Sequence, residues 1–184
     1  LHTLRRCVGD ELFESDRSQL ALRAGVLDAD YTEFVDAAAT GDAEAMLRWY
    51  RGPFCDELVI RGATTFERWA EAERQRLRRI VVMAVRREVE ARTARGDLVR
   101  AAAAARALHA AEPALEETVL LAADALVATG AFDEARLSLE NFRARQFSIG
   151  ETLSEAVATR LAKLKSVTAD RARGEAERAD PFEL

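Results

Sequence analysis

Two segments of this chain are written to one pattern 34 positions apart: Gly96-Asp97-Leu98, which closes at Pro113, and Gly130-Ala131-Phe132. In each, an alanine follows the glycine by five residues (Ala101, Ala135), with small or apolar residues three and four further on (Ala104 and Ala105; Ser138 and Leu139). Small residues at that spacing let two helices of a hairpin approach closely. A hairpin of this length cannot bury its apolar face alone, so the chain is constrained to stack one unit on the next. The second unit carries Phe147 where the first has Pro113, which marks the array as degenerate.

The period is that of a tetratricopeptide repeat. Gly41-Asp42 before Ala43-Glu44-Ala45-Met46-Leu47 reads as a more divergent copy, separated from the next by an insertion over 52–65. Helices are expected at about 29–39, 42–50, 64–94, 97–111, 114–128, 131–146 and 151–165. Apolar residues at helical spacing support the later ones: Leu115, Val119, Ala122 and Leu126; Phe132, Ala135, Leu139 and Phe142; Leu153, Val157, Leu161 and Leu164. The first 27 residues differ. Leu1 to Val8 reads as a helix end stopped by Gly9-Asp10, and Glu11 to Ser15 and Gln19 to Arg23 read as a β-hairpin around Asp16-Arg17-Ser18. The fold class is mainly all-α, a tetratricopeptide-like array of helical hairpins behind a short N-terminal β-hairpin.

Several functions find no residues to carry them. A net charge of −5 opposes nucleic-acid binding by overall attraction, so any DNA contact must be local. The densest basic run, Arg74, Arg76, Arg78 and Arg79, follows Glu71 and Glu73 at pairing distance on a helix and reads as a solvated, salt-bridged face. Cys7 and Cys55 have no histidine at ligand spacing, so neither a zinc site nor a disulfide framework is indicated. His2 and His109 stand alone, and no nucleophile-elbow, phosphate-loop, dinucleotide or zinc-protease motif occurs. No enzyme activity, metal or cofactor is expected. No apolar run approaches the roughly 18 residues of a membrane span, and a reducing cytoplasm fits.

The most distinctive wording lies from Tyr50 to Arg78. Tyr50-Arg51-Gly52-Pro53-Phe54 breaks one helical pattern, and Phe66-Glu67-Arg68-Trp69 opens the long helix that follows. Phe66 and Trp69 lie three apart on one face and are expected to plug the corner made by Gly52, Pro53 and Phe54, mostly buried. This stretch, with Ala94-Arg95-Gly96-Asp97 to Pro113, closely resembles the bacterial transcriptional activator domain, the all-helical module that follows a winged helix in SARP-type regulators. The N-terminus matches too. Leu4-Arg5-Arg6, the hairpin and the acidic Leu27-Asp28-Ala29-Asp30 follow the order of a recognition-helix end, a wing and the entry to the activator domain.

The resemblance implies three parts: residues 1–27 as the C-terminal part of a winged-helix DNA-binding domain, 28–165 as the activator domain, and 166–184 as a linker, which in large members precedes an ATPase domain. It implies promoter DNA as the partner of the complete protein, and a protein partner or second copy for the helical domain. The alternative is a repeat scaffold that binds only proteins, with the hairpin as its cap. Arg5, Arg6 and Arg17 fall at the recognition-helix end and wing tip, positions that meet phosphates in such regulators. In the complete protein, replacing each with Ala is expected to weaken DNA binding across sequences and flatten its salt dependence, measured by fluorescence anisotropy over a salt series. Unchanged affinity and slope in all three variants would remove them from the interface.

Overall fold

The computed structural model describes residues 6, 9, 12–15, 20–23, 25–26, 28–56 and 58–179. Among them, two short strands, β1 (Phe13–Ser15) and β2 (Leu20–Leu22), pair antiparallel with Phe13 opposite Leu22. The hairpin is where the alternation placed it. Seven helices follow among the described residues: α1 (Asp30–Thr40), α2 (Ala43–Trp49), α3 (Thr64–Ala94), α4 (Leu98–Ala111), α5 (Glu116–Ala128), α6 (Phe132–Ser148) and α7 (Glu155–Ala179).

Consecutive helices pack on one another: α1 with α2, α3 with α4, α5 with α6, and α7 closes on α6. The turns are built by the residues that mark the repeat. Gly96 and Gly130 sit at φ of 79° and 82°, the left-handed region in which a side chain is strained, and each follows the last turn of a helix. Between the turns, Ala101, Ala104 and Ala105 are buried on α4, as small residues at a close helix contact must be. All three apolar stripes face inward. Val119, Ala122, Leu126, Ala135, Leu139, Phe142, Val157, Leu161 and Leu164 are buried, and Leu115, Phe132 and Leu153 pack against them at the margin.

Two expectations are corrected. Helix α7, expected over 151–165, runs as far as Ala179, past its last buried leucine and into the segment expected as a linker. Its extension is fastened near the start by the Arg171 guanidinium, 5.2 Å from the centre of the Phe132 ring, a cation–π contact the charge pattern alone does not reveal. The second correction concerns Trp69, which is 51% exposed. It does not plug the corner; Phe66 beside it is half-buried. The residues that fill the corner are Phe34 and Tyr50, both buried, with ring centres 5.6 Å apart.

The core therefore depends on α4 to α6 more than on the aromatic opening of α3. Leu108 is fully buried on α4. Leu108→Ala is expected to cost about 2 to 5 kcal/mol in urea denaturation, whereas Trp69→Ala should cost less than about 1.5 kcal/mol, since half of its surface is already in water. A larger loss at Trp69 than at Leu108 would contradict this placement of the core.

Candidate interaction surface at the Gly-Pro corner

Helix α2 stops because Tyr50 leaves the helical region (φ −87°, ψ 93°), and Gly52-Pro53 follow at once. Tyr50 then reaches across the array. Its hydroxyl donates to Glu112 Oε1 at 2.5 Å, and Arg78 Nε lies 3.0 Å from Glu112 Oε2. That second contact is close enough for an ion pair but misaligned for a hydrogen bond, so it is mainly electrostatic. Glu112 itself is 4% exposed. It occupies that place because Pro113 forces the preceding residue out of the helix, and Glu112 accordingly ends α4 at φ −127°, ψ 65°. Its carbonyl accepts the Thr118 hydroxyl at 2.8 Å, which ties the start of α5 to the same point.

Burial, and after it the Glu112 carboxylate, push the Tyr50 phenol well above its ordinary range. Arg78 is half-buried; burial works against its charge, and Glu112 more than offsets this and holds the guanidinium protonated. His109, the lone histidine of α4, sits with Nδ1 3.2 Å from the Thr118 hydroxyl. Burial, with a smaller contribution from Arg145, lowers its pKa. Among the described residues no group of three or more His, Cys, Asp or Glu is placed to hold a metal.

Outside this network lies a row of rings. Tyr31 of α1 packs on Phe54 of the loop at 5.7 Å with the rings tilted by 56°, Phe54 meets Trp69 edge-on at 5.7 Å, and Trp69 meets Phe66 at 5.6 Å. Tyr31 also donates to Glu73 Oε1 at 3.0 Å, and Arg76 beside Glu73 holds that carboxyl below the usual range. The loop is held by Arg74, whose Nε and Nη2 donate to the carbonyls of Phe54 and Cys55 at 2.7 and 2.6 Å. Cys55 carries φ of 49°, unusual for a residue with a side chain, and the Arg74 contact to its carbonyl stabilises that conformation. Just beyond it Leu58, Val59 and Ile60 are 47%, 75% and 41% exposed. They and Trp69, on either side of the loop's end, are large apolar side chains left in contact with water.

The sequence-predicted residues thus divide. Tyr50, Gly52, Pro53, Phe54, Phe66 and Trp69 gather at this one corner. Gly52 approaches the end of α4, with the carbonyl of Ala111 3.9 Å from where a Cβ would stand, and Pro113 closes the same place. Gly96 and Gly130 are turns elsewhere in the array. Arg6 is helical and exposed; Arg5 and Arg17 lie outside the described residues. The basic run expected as a solvated face is divided: Arg76 pairs outward with Glu73, while Arg74 and Arg78 turn toward the loop and Glu112. Glu112 and Arg74 were not singled out for these roles from the sequence. The clue to Glu112 is its position before Pro113.

The family model of the bacterial transcriptional activator domain matches residues 16–166. The chain belongs to this family. The match covers the second strand, α1 to α6 and the first half of α7, so the exposed corner and the buried network are both parts of the activator domain. No curated protein and no solved structure matches the chain.

The network makes a prediction at high pH. In the unfolded chain Tyr50 loses its proton near pH 10, whereas in the folded domain it keeps it, so the folded state binds more protons and stability falls as pH rises above 10. Its share of the slope is about 1.4 kcal/mol per pH unit. Tyr50→Phe is expected to remove that share from urea denaturation followed between pH 9.5 and 11. A variant with the wild-type slope would show that Tyr50 is not held neutral.

Proposed function

We propose that this chain is the protein-contact part of a DNA-binding transcription regulator of the SARP type, working in the cytoplasm. Residues 1–27 are read as the end of its winged helix, and the helical array as the domain through which it meets a protein partner or a second copy. The observation that carries the reading is the exposed aromatic corner in a member of the activator-domain family. Tyr31, Phe54 and Trp69 with Leu58 to Ile60 offer rings and aliphatic side chains of the kind that anchor protein contacts. Three features support assigning DNA contact elsewhere: the net charge of −5, the ion pairs that occupy much of the arginine side-chain charge, and the position of the hairpin ahead of the array.

Two readouts test it together. Residues 28–165 alone should bind promoter DNA only weakly and with steep salt sensitivity, while the complete regulator binds specifically. In the complete regulator Trp69→Ala should reduce promoter activation at least about tenfold with little loss of thermal stability, as truncating a contact anchor does. Sub-micromolar, sequence-specific binding by residues 28–165, or full activation by the Trp69 variant, would contradict the proposal.

A further inference from the structure

A hollow of about 260 Å³ lies among α1, the end of α2 and the loop that follows Gly52-Pro53, with Leu77 of α3 also in its lining. Five of the residues around it are aromatic: Tyr31 and Phe34 of α1, Trp49 and Tyr50 at the end of α2, and Phe54 of the loop. Four of them form two close ring pairs, Phe34 with Tyr50 at 5.6 Å and Tyr31 with Phe54 at 5.7 Å. Phe34, Tyr50 and Leu77 are buried, and Trp49 and Phe54 are half-buried. Rings that only pack on one another in a core leave no such room.

Two charged residues belong to the same lining, Asp30 and Arg51, and both are exposed, so the charges stand at the mouth. Asp30 opens α1, and one of its carboxylate oxygens accepts the Tyr31 backbone N–H at 2.8 Å. Among the described residues neither Asp30 nor Arg51 forms an ion pair, with the other or with a third group. A carboxylate and a guanidinium thus border one apolar hollow without being committed to the fold. Its size is restrictive. A closed apolar cavity of about 150 Å³ takes one benzene ring, so 260 Å³ takes one ring with a short substituent.

We propose that this hollow binds a free α-amino acid with an aromatic side chain. The ligand's ring lies among Phe34, Trp49, Tyr50 and Phe54, where offset or edge-on ring contacts are open to it. Its ammonium group meets the Asp30 carboxylate beside the electron-rich ring faces, and its own carboxylate meets the Arg51 guanidinium. Both charges are needed for the match. A simple organic cation leaves Arg51 opposing it, and an aromatic acid without an amine leaves Asp30 opposing it. Tyr31 and Phe54 border the hollow and also belong to the outer row of rings. Binding is nevertheless read on this chain alone, so the site stands whether or not the outer surface meets a protein.

The test is an NMR titration of the isotope-labelled full chain with L-phenylalanine, beside phenethylamine, which lacks the carboxylate, and hydrocinnamate, which lacks the amine. L-phenylalanine should shift the Trp49 indole N–H more than that of Trp69, with a Kd on the order of 0.1 to 1 mM, the range open to a ligand of about a dozen heavy atoms. Each analogue should bind at least about threefold more weakly, as loss of one partly exposed charge contact does. Asp30→Asn should weaken L-phenylalanine by a similar factor without weakening hydrocinnamate. Arg51→Gln should weaken L-phenylalanine without weakening phenethylamine, and both variants should keep the wild-type thermal melting. No saturable shift at Trp49, or an analogue that binds as well as the amino acid, overturns the proposal. So does undiminished binding of L-phenylalanine by both variants.

Discussion

Glu112 joins helices that the chain would otherwise only lay side by side. Its carboxylate takes the Tyr50 hydroxyl from the end of α2 and the Arg78 guanidinium from α3, while its carbonyl takes the Thr118 hydroxyl from α5. A buried carboxylate is costly to desolvate, and such a group is tolerated only where its oxygens are answered. Here each oxygen has one partner. The network fixes the register of the first hairpin against the second, at the point where the insertion over 52–65 interrupts the repeat and apolar stacking alone has least to hold.

The corner outside follows from that anchor. Arg74 lies one turn before Arg78 on α3, and from there it holds the loop carbonyls of Phe54 and Cys55. Phe54 is thereby set between Tyr31 and Trp69, and the rings form a continuous row at the surface. Phe34, Tyr50 and Phe142 join alanines, leucines and valines in the interior, while Trp69 is left half exposed.

Much of this was legible in the sequence. The 34-residue recurrence placed the turns at Gly96 and Gly130, and the 3.6-residue stripes named the buried residues of α6 and α7 but only Val119, Ala122 and Leu126 of those in α5, missing Thr118, Ala123 and Ala125. The limits of α3 were read without error, because a glycine follows its end and a turn-rich insertion precedes it. What was missed has physical causes. Spacing shows that Phe66 and Trp69 share a face but not how much that face is covered; Trp69 meets Phe54 on one edge and is otherwise left to water. The last helix was expected to end at 165 because no apolar stripe continues beyond it, yet a helix can continue on charged residues once started. Glu112 looked like one acidic residue among many, since burial of a charge is a property of the assembled helices.

Cover of the aromatic corner in the assembled regulator can be read by hydroxyl-radical footprinting with mass spectrometry. Oxidation of Trp69 and Phe54 would be compared between residues 28–165 alone and the complete regulator on promoter DNA with its transcription partners. Cover of this corner predicts much lower oxidation of both rings in the assembly than in the isolated array, where Trp69 is half exposed. Equal oxidation of the two rings in both states would contradict it.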